Sequence, residues 1–242
     1  MPIVIGSRVF APRLVTTVVT LGVLAILILL GRWQLHRAEE KRVLYSEFAR
    51  GAEATLEVTA ATPHLSRYQH VKVTGHYDRS RQLLIDNMSN TAGQAGYFVV
   101  TPFGLKNGGW VLVNRGWVPM GASRRILPAI DVPGDERSLR GRADDLPRPG
   151  IQLGQRVALA DPYPIVASFP TLAEVSALYR DLRLAPAAEV LLLDPDQPGG
   201  YLRQWAAPGF PPMRHLAYAV QWFALALALV VIYGVTNIRR KT

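Results

Sequence analysis

The chain has 242 residues, of which 49% are hydrophobic, and it has a net charge of +9 and no cysteine. The lack of cysteine excludes disulfides and gives no information on the compartment. Between residues 51 and 214 the 17 basic and 15 acidic residues nearly balance, and most of the excess charge flanks two apolar blocks, so we expect no nucleic-acid partner.

The first apolar block predicts a transmembrane helix at residues 14–31. It has 18 uncharged residues, LVTTVVTLGVLAILILLG, which would reach about 27 Å as a helix, close to the thickness of a bilayer core. A cleaved signal peptide is the alternative, because Arg8 and Arg13 precede the block. The run is longer than a signal-peptide core and ends in GRWQLHR, without a small-residue cleavage pattern. We therefore expect a retained span, and the scarcity of preceding basic residues favours a bacterial inner membrane protein over a mitochondrial precursor.

The segment after this block predicts a helical extension and then a β-rich domain. WQLHRAEEKRVLYSEFAR lacks Gly and Pro and mixes charges at helical spacing, which predicts helix as far as Arg50. Short β-branched or alternating segments bounded by turn residues follow at 68–78, 81–87, 96–103, 110–118, 138–144, 156–161 and 188–194. The fold expected for the middle of the chain is a mainly antiparallel β (α+β) domain, with a curled sheet or a small barrel.

Two local motifs add detail to this β-rich domain. Asn107, Gly108 and Gly109 tolerate positive φ and predict a turn between two strands. FPTLAEVSALYR predicts the one helical interval, with Thr171 as N-cap and Glu174 as its capping-box partner.

The second apolar block predicts another transmembrane helix at residues 215–235. Two spans place both termini on one side of the membrane. The basic residues on the two sides are similar in number, but the tail with Arg239, Arg240 and Lys241 has no acid, so we expect the middle domain to be extracytoplasmic and to face the periplasm. The predicted segments are a short cytoplasmic N-terminus (1–13), the first span (14–31), its helical extension (32–50), the extracytoplasmic domain (51–214), the second span (215–235) and a basic cytoplasmic tail (236–242).

No sequence motif indicates catalysis. HExxH, CxxC, Walker A and GxSxG patterns are all missing, and the carboxylates show no acid/base spacing. His70 and His76 share one face of a predicted strand and could form a metal site with His64. Lys72 and Thr74 lie on the same face, which favours the solvent side of a sheet. We therefore expect no enzymatic activity.

The start of the second span, MRHLAYAVQWF, has polar residues where aliphatic ones are usual. His215, Tyr218 and Trp222 are spaced at i, i+3 and i+7, which predicts one helical stripe. A neutral imidazole above two aromatic rings is typical of the axial side of a haem pocket, with His215 as an iron ligand. The alternative is a polar interfacial residue beside an aromatic belt. Gln221 lies off the stripe, and we expect it to hydrogen-bond the other helix.

The end of the first span lies at the same membrane face in an antiparallel pair. Trp33 and Gln34 are therefore expected near His215, and Arg37 one turn further on, within reach of a haem propionate or a lipid phosphate. The alternative for Trp33 and Arg37 is a membrane anchor.

Several motifs in order along the chain resemble the surfeit-locus-one family of cytochrome c oxidase assembly factors. They are GRWQLHRAEEK, YQHVKVTGHYD, TPFG, WVLVNRGWVP and HLAYAVQWFALA, and they cover almost the whole chain. The resemblance implies two spans around an extracytoplasmic domain, no enzymatic activity and a role in respiratory complex IV assembly as a haem a chaperone. It identifies His215 as the haem-binding histidine.

The family resemblance also implies the partners. These are haem a, bound transiently, the catalytic subunit of haem-copper oxidase, haem a synthase and other oxidase assembly factors. Membrane lipids are expected as partners from the two spans and the basic residues that flank them. An alternative from another class is a cofactor-free membrane scaffold that docks oxidase subunits or assembly factors. A periplasmic sensor is disfavoured, because neither predicted tail is long enough for a signalling domain.

Overall fold

The computed structural model of the chain describes residues 3–5, 8–50, 54–121, 123–149, 159 and 162–240, and the side chains of residues 3–5, 8–9 and 239–240 are not described. The chain divides into two compact units. We call Met1–Ser46 with Ala207–Thr242 the helical unit, and Glu47–Ala206 the β unit. The predicted strand at 156–161 lies outside the described residues, apart from Leu159.

The described elements, in chain order, are β1 (Ile3–Ile5), β2 (Arg8–Phe10), α1 (Leu14–Arg50), β3 (Thr55–Glu57), β4 (His70–Tyr77), β5 (Leu83–Ser89), β6 (Ala95–Leu105), β7 (Trp110–Pro119), β8 (Arg137–Asp144), β9 (Ile165–Ser168), α2 (Leu172–Leu178), β10 (Val190–Leu193), α3 (Pro212–Asn237) and β11 (Ile238–Arg240).

The two long helices have the length and apolar composition needed to cross a membrane. Helix α1 runs without a break through the predicted span and its extension. Helix α3 begins three residues before the predicted second span, because Pro212 has the φ angle of a first helical turn and needs no backbone N–H there. It ends at Asn237, two residues beyond the predicted end.

The helices pack along a seam of small and polar residues. Gly31 and Ala38 of α1 and Ala219 and Ala226 of α3 are buried, while most of the large apolar side chains of both helices are exposed. Small residues allow two backbones to approach closely, which is typical of helix pairs in membranes.

Near its termini the helical unit also has a small sheet that the sequence analysis did not predict. Strand β2 pairs antiparallel with both β1 and β11. The register joins Arg8 to Arg240 and Phe10 to Ile238.

The β unit is built on one eight-stranded sheet with the order β3-β4-β8-β10-β7-β6-β5-β9. An additional β4–β6 pairing joins β4, β8, β10, β7 and β6 into a closed ring, which is a small barrel, one of the two forms expected from the sequence. Most pairs are antiparallel, as expected, but β3–β4, β5–β9 and β7–β10 are parallel. Strands β3 and β9 were not predicted.

Three apolar clusters fill the described part of the β unit. One contains alternating residues of the ring strands, such as Val71, Val73, Val111, Val113 and Leu139. A second packs α2 against the sheet. The third contains Leu84, Tyr97, Val99, Val118 and Ile130. The predicted capping box of α2 is confirmed, because the Thr171 side chain accepts from the Glu174 backbone and the Glu174 side chain accepts from the Thr171 backbone.

The NRGW segment of β7 organises the centre of the β unit. Arg115 is 1% exposed, and its guanidinium donates to four oxygens, namely the side-chain oxygen of Gln82 and the backbone oxygens of Gly199, Ile130 and Asp131. Its partners are neutral, so the charge is solvated by dipoles in place of a carboxylate. Burial accordingly lowers the pKa of Arg115.

The neighbours of Arg115 in this motif also have structural roles. The Asn114 side chain accepts from the Gly116 backbone at 3.0 Å, and the Trp117 indole donates to the Met88 carbonyl at 3.0 Å. Gly116 has φ of 112°, a conformation that residues with a Cβ rarely adopt. The sequence motif therefore corresponds to a buried network that holds β7 in place.

Candidate cofactor site on the helix pair

The centre of the candidate site is a hydrogen bond between the two long helices. His215, in the first turn of α3, has its Nδ1 2.8 Å from Oε1 of Gln34 on α1. Both residues are half-buried. The predicted proximity of Gln34 to His215 is therefore confirmed.

This contact selects one tautomer of the neutral imidazole. The amide oxygen of Gln34 only accepts, so Nδ1 of His215 is the donor and Nε2 keeps its lone pair. A metal-binding histidine is usually held in this way, with one ring nitrogen donating to an oxygen and the other directed to the metal. The donor set at His215 therefore fits one axial bond to haem iron.

The three residues of the predicted stripe differ in exposure. Trp222, two turns after His215, is half-buried like the histidine, and Ala219 lies buried between them. Tyr218 is 47% exposed. The seam thus includes His215 and Trp222. Tyr218 comes three residues after His215, a rotation of about 300°, so it points about 60° away from His215 and lies at the outer edge of the seam.

The prediction that Gln221 hydrogen-bonds the other helix is wrong. Its side chain is exposed and makes no hydrogen bond within the described part of the chain. Six residues after His215, it points about 120° away from the seam. Gln34, from the opposite helix, makes the interhelical bond with His215.

Two further contacts position the helices around His215, and neither was predicted. A Cβ added to Gly31 would lie 2.6 Å from Cε1 of Phe223, so the Phe223 ring lies directly over the glycine. Nearer the chain termini, the hydroxyl oxygens of Thr17 and Tyr233 are 2.6 Å apart. The sequence signal for this seam is the helical spacing of Thr17, Gly31, Gln34 and Ala38 on α1.

The other predicted site residues lie beside this seam on α1. Trp33 is 53% exposed. The Arg37 guanidinium donates to Glu40, and His36 Nε2 lies 3.2 Å from another oxygen of the same carboxylate. Arg37 is thus held on its own helix by Glu40, and its proposed contact with a propionate or phosphate stays a prediction.

The loop before α3 is anchored to α1 by two hydrogen bonds. Lys41 Nζ donates to the Pro208 carbonyl at 3.0 Å, and the Tyr45 hydroxyl donates to the Gly209 carbonyl at 3.2 Å. Arg214 lies 4.1 Å from the centroid of the exposed Phe210 ring. These contacts hold the loop against α1, and so they determine where α3 begins and where His215 lies.

The histidines of the β unit form no metal site in the described ranges, where no three His, Cys, Asp or Glu side chains cluster. His76 is exposed and packs edge-on against Trp110, and His64 Nδ1 lies 3.4 Å from the Pro186 carbonyl. The strand β4 alternates between buried residues and a face with His70, Lys72, Thr74 and His76. The interpretation of that face as the solvent side of a sheet is confirmed at Lys72 and His76, which are exposed, whereas His70 is partly covered and its Nε2 is buried.

Comparison with known proteins identifies the family. The profile described as the SURF1 family matches residues 21–227, which include both long helices in large part and the whole β unit. The chain belongs to the SURF1 family. All the predicted site residues lie within the matched range.

Individual relatives of the SURF1 family agree with this assignment. A SURF1-like protein of Rickettsia conorii is 26% identical over 225 residues, with 86% of this chain and 85% of the relative covered. Surfeit locus protein 1 of Gallus gallus is 27% identical over 224 residues, with 82% and 68% covered. A SURF1-like protein of Rickettsia bellii is 33% identical over 93 residues, 38% of this chain and 39% of the relative. The match therefore spans less than half of the R. bellii relative.

Proposed function

We propose that this SURF1-family chain is a bacterial inner-membrane assembly factor for haem-copper (cytochrome c) oxidase. In this proposal it binds haem a on its helix pair and helps to deliver it to the catalytic oxidase subunit. The protein acts as a chaperone and not as an enzyme, with the β unit in the periplasm. Haem a synthase and other assembly factors are its proposed further partners.

The observation that supports cofactor binding is the state of His215. Its Nδ1 is engaged by Gln34, and its Nε2 has no partner in the described residues. The free lone pair can bind iron as one axial ligand.

The surroundings of His215 suit a hydrophobic macrocycle. Trp222 lies on the same seam, Tyr218 and Trp33 are exposed at its edges, and flat aromatic rings pack well on a porphyrin. Arg37 supplies a cation one helical turn after Trp33, where it can exchange Glu40 for a carboxylate of the ligand.

A delivery role requires a site that releases its ligand. One histidine on the surface of two helices provides a weaker hold than an enclosed pocket with two axial ligands, so a client with its own histidines can withdraw the ligand. Transfer then depends on the difference in affinity between carrier and client.

The proposal is tested by purifying the full chain in detergent from cells that make haem a and recording its absorption spectrum. We expect His215→Ala to reduce the haem bound per protein at least about tenfold, while far-UV circular dichroism stays unchanged. His64→Ala is the matched control, because His64 is an exposed histidine of the β unit. An unchanged haem complement in His215→Ala would contradict the assignment of this residue as the ligand.

The rival function is a scaffold without a cofactor, which docks oxidase subunits through the β unit or the helices. The same variants distinguish the two in a strain that lacks its own family member. A chaperone with His215→Ala should still co-purify with oxidase subunits but yield oxidase with little haem a. A scaffold with the same substitution should support full oxidase assembly.

A further inference from the structure

One end of the barrel contains buried hydrogen-bond donors that lack an acceptor. The hydroxyl of Tyr77, the last residue of β4, and Nε of Arg137, the first residue of β8, are both buried without a partner in the described part of the chain. Tyr77 as a whole is 2% exposed. Unpaired buried donors are uncommon in folded proteins because each loses its bond to water without replacement.

The sheet register brings these two donors to the same face. Arg137 is paired with Gly75, and Gly75 lies two residues before Tyr77 on β4, so Arg137 and Tyr77 are diagonal neighbours. Both belong to the alternating series that points into the barrel, with Val73 and Leu139 as the next members. The two residues therefore lie on the same inward face, at one end of the barrel, which we call the barrel mouth.

The guanidinium groups of Arg115 and Arg203 also lie near Tyr77 and Arg137. The Arg115 guanidinium carbon lies 5.5 Å from the centroid of the Tyr77 ring, and Arg115 Nε donates to the Gly199 carbonyl at 2.8 Å. A Cβ on Gly199 would lie 3.6 Å from Arg137 Nη1, and a Cβ on Gly200 would lie 2.5 Å from the guanidinium carbon of Arg203. The pair Gly199–Gly200 thus joins all three arginines.

The positive charge at the mouth is poorly compensated. Arg137 pairs with Asp135, whose side chain is 67% exposed. Arg203 donates to the backbone oxygens of Asp194, Gln197 and Tyr201, and Arg115 also contacts only neutral oxygens. Among the described residues, neither Arg115 nor Arg203 has a carboxylate within ion-pair distance.

Burial determines the protonation state of Tyr77. It raises the pKa of Tyr77 to about 12, although Arg115, Arg137 and Arg203 each oppose the shift. The phenol therefore remains protonated at neutral pH, and its O–H needs an acceptor. An acceptor with negative charge would satisfy both donors and compensate the arginines at once.

We infer that the barrel mouth binds one small oxyanion of the phosphate or sulfate type, which accepts hydrogen bonds from the Tyr77 hydroxyl and Arg137 Nε. Two donors on separate side chains suit an ion with separate oxygens better than a single-atom halide. This site lies within the β unit and is independent of the proposed haem function.

The test measures the thermal midpoint of the β-sheet circular dichroism signal of the full chain in a nonionic detergent. Sulfate is varied from zero to about 10 mM, a range in which its general salting-out effect is small, and chloride keeps the ionic strength constant. A tenfold excess over the dissociation constant should raise the wild-type midpoint by about 3–5 °C, with a saturating curve.

Tyr77→Phe removes one of the two donors and should weaken the apparent sulfate affinity about tenfold. The matched control is Tyr179→Phe, because Tyr179 is also fully buried but its hydroxyl donates to the Arg81 carbonyl at 3.1 Å. That variant should have a lower midpoint and the full sulfate response. Arg137→Lys, which keeps the charge and loses Nε, serves if Tyr77→Phe fails to fold.

Two results would overturn the inference. One is that Tyr77→Phe responds to sulfate as strongly as the wild type does. Where Arg137→Lys replaces Tyr77→Phe, the same result in Arg137→Lys has the same meaning. The other is an equal response to chloride and sulfate at matched ionic strength, since a water molecule at the two donors would give no preference for an oxyanion.

Discussion

The two units use their most specific polar residues in different ways. In the β unit, the hydrogen-bonding groups of the NRGW motif stabilise the fold, because Arg115, Asn114 and Trp117 all donate to or accept from neighbouring protein groups. In the helical unit, His215 uses one nitrogen for Gln34 and leaves the other without a partner in the described residues. Two motifs of similar specificity therefore differ in what remains for a ligand, because the donors of the first are paired within the protein and the second keeps an unpaired ring nitrogen.

The largest expected effect tests whether the NRGW motif is structural. Arg115→Met should lower the free energy of unfolding of the β unit by about 3–5 kcal/mol, because three backbone oxygens lose their donor and Gln82 Oε1 keeps only its bond from the Thr101 hydroxyl. Chemical denaturation of the full chain in detergent, followed by tryptophan fluorescence, measures the change.

Arg140→Met is the control for Arg115→Met, because Arg140 lies on β8 with its side chain 55% exposed and forms an ion pair with the exposed Asp196. It should change the free energy of unfolding by less than about 1 kcal/mol. An Arg115→Met protein as stable as the wild type would mean that this motif serves a purpose other than the fold.

The second prediction addresses the helix seam. Gly31→Leu should separate the two helices at a cost of about 1–3 kcal/mol, because its side chain must displace the Phe223 ring. Since the chain has no cysteine, cross-linking of Thr17→Cys to Tyr233→Cys by a short bismaleimide can report the helix contact, and its yield should fall several-fold. Gly22→Leu on the same helix has open space around it and should leave the yield unchanged.

The third prediction separates positioning from ligation at His215. Gln34→Leu should weaken haem binding about tenfold while His215 remains present, because the imidazole loses the partner that fixes its tautomer. Haem titration followed by the Soret band measures the affinity. Gln34→Glu, which keeps an acceptor oxygen, should restore binding, and equal affinities in all three proteins would exclude a positioning role.

The smallest expected effect is a pH dependence of the β unit. Burial lowers the pKa of His70, Arg142 acts in the same direction and Asp194 opposes them. The unfolded chain therefore binds a proton more readily, and stability should fall as pH decreases from the ordinary value of 6.5 towards the lower folded pKa. His70→Gln should reduce this loss of thermal midpoint between pH 7.5 and 5.5.

The exposed His64 provides the comparison for that experiment. His64→Gln should keep the acid dependence of the wild type, since its side chain lies largely in solvent. An unchanged pH profile in His70→Gln would show that the acid sensitivity originates elsewhere in the β unit.

Local sequence patterns predicted much of the β unit. Alternation located β4 and β8, the glycines at 108 and 109 have positive φ as expected, and the capping box of α2 is present. The missing strands are three or four residues long, too short for an alternating pattern. Parallel pairing and the β4–β6 closure depend on contacts distant in sequence, for which a local pattern contains no signal.

The candidate site was predicted less completely, for a geometric reason. Helical spacing placed Gln34 beside His215 and located the common face of His215 and Trp222. It did not determine which edge of that face meets the other helix. That edge depends on two packing contacts, the burial of Ala219 and the position of the Phe223 ring over Gly31. Tyr218 and Gln221 consequently lie further from the seam than the pattern suggested.

The pairing of β2 with β11 has a consequence for the order of folding during synthesis. It joins residues 8–10 to residues 238–240, so the ribosome must reach residue 240 before this sheet can form. The β unit is complete in sequence by residue 206 and has its own core. Its folding can therefore precede the pairing of α1 with α3, and the site at His215 would form after the β unit.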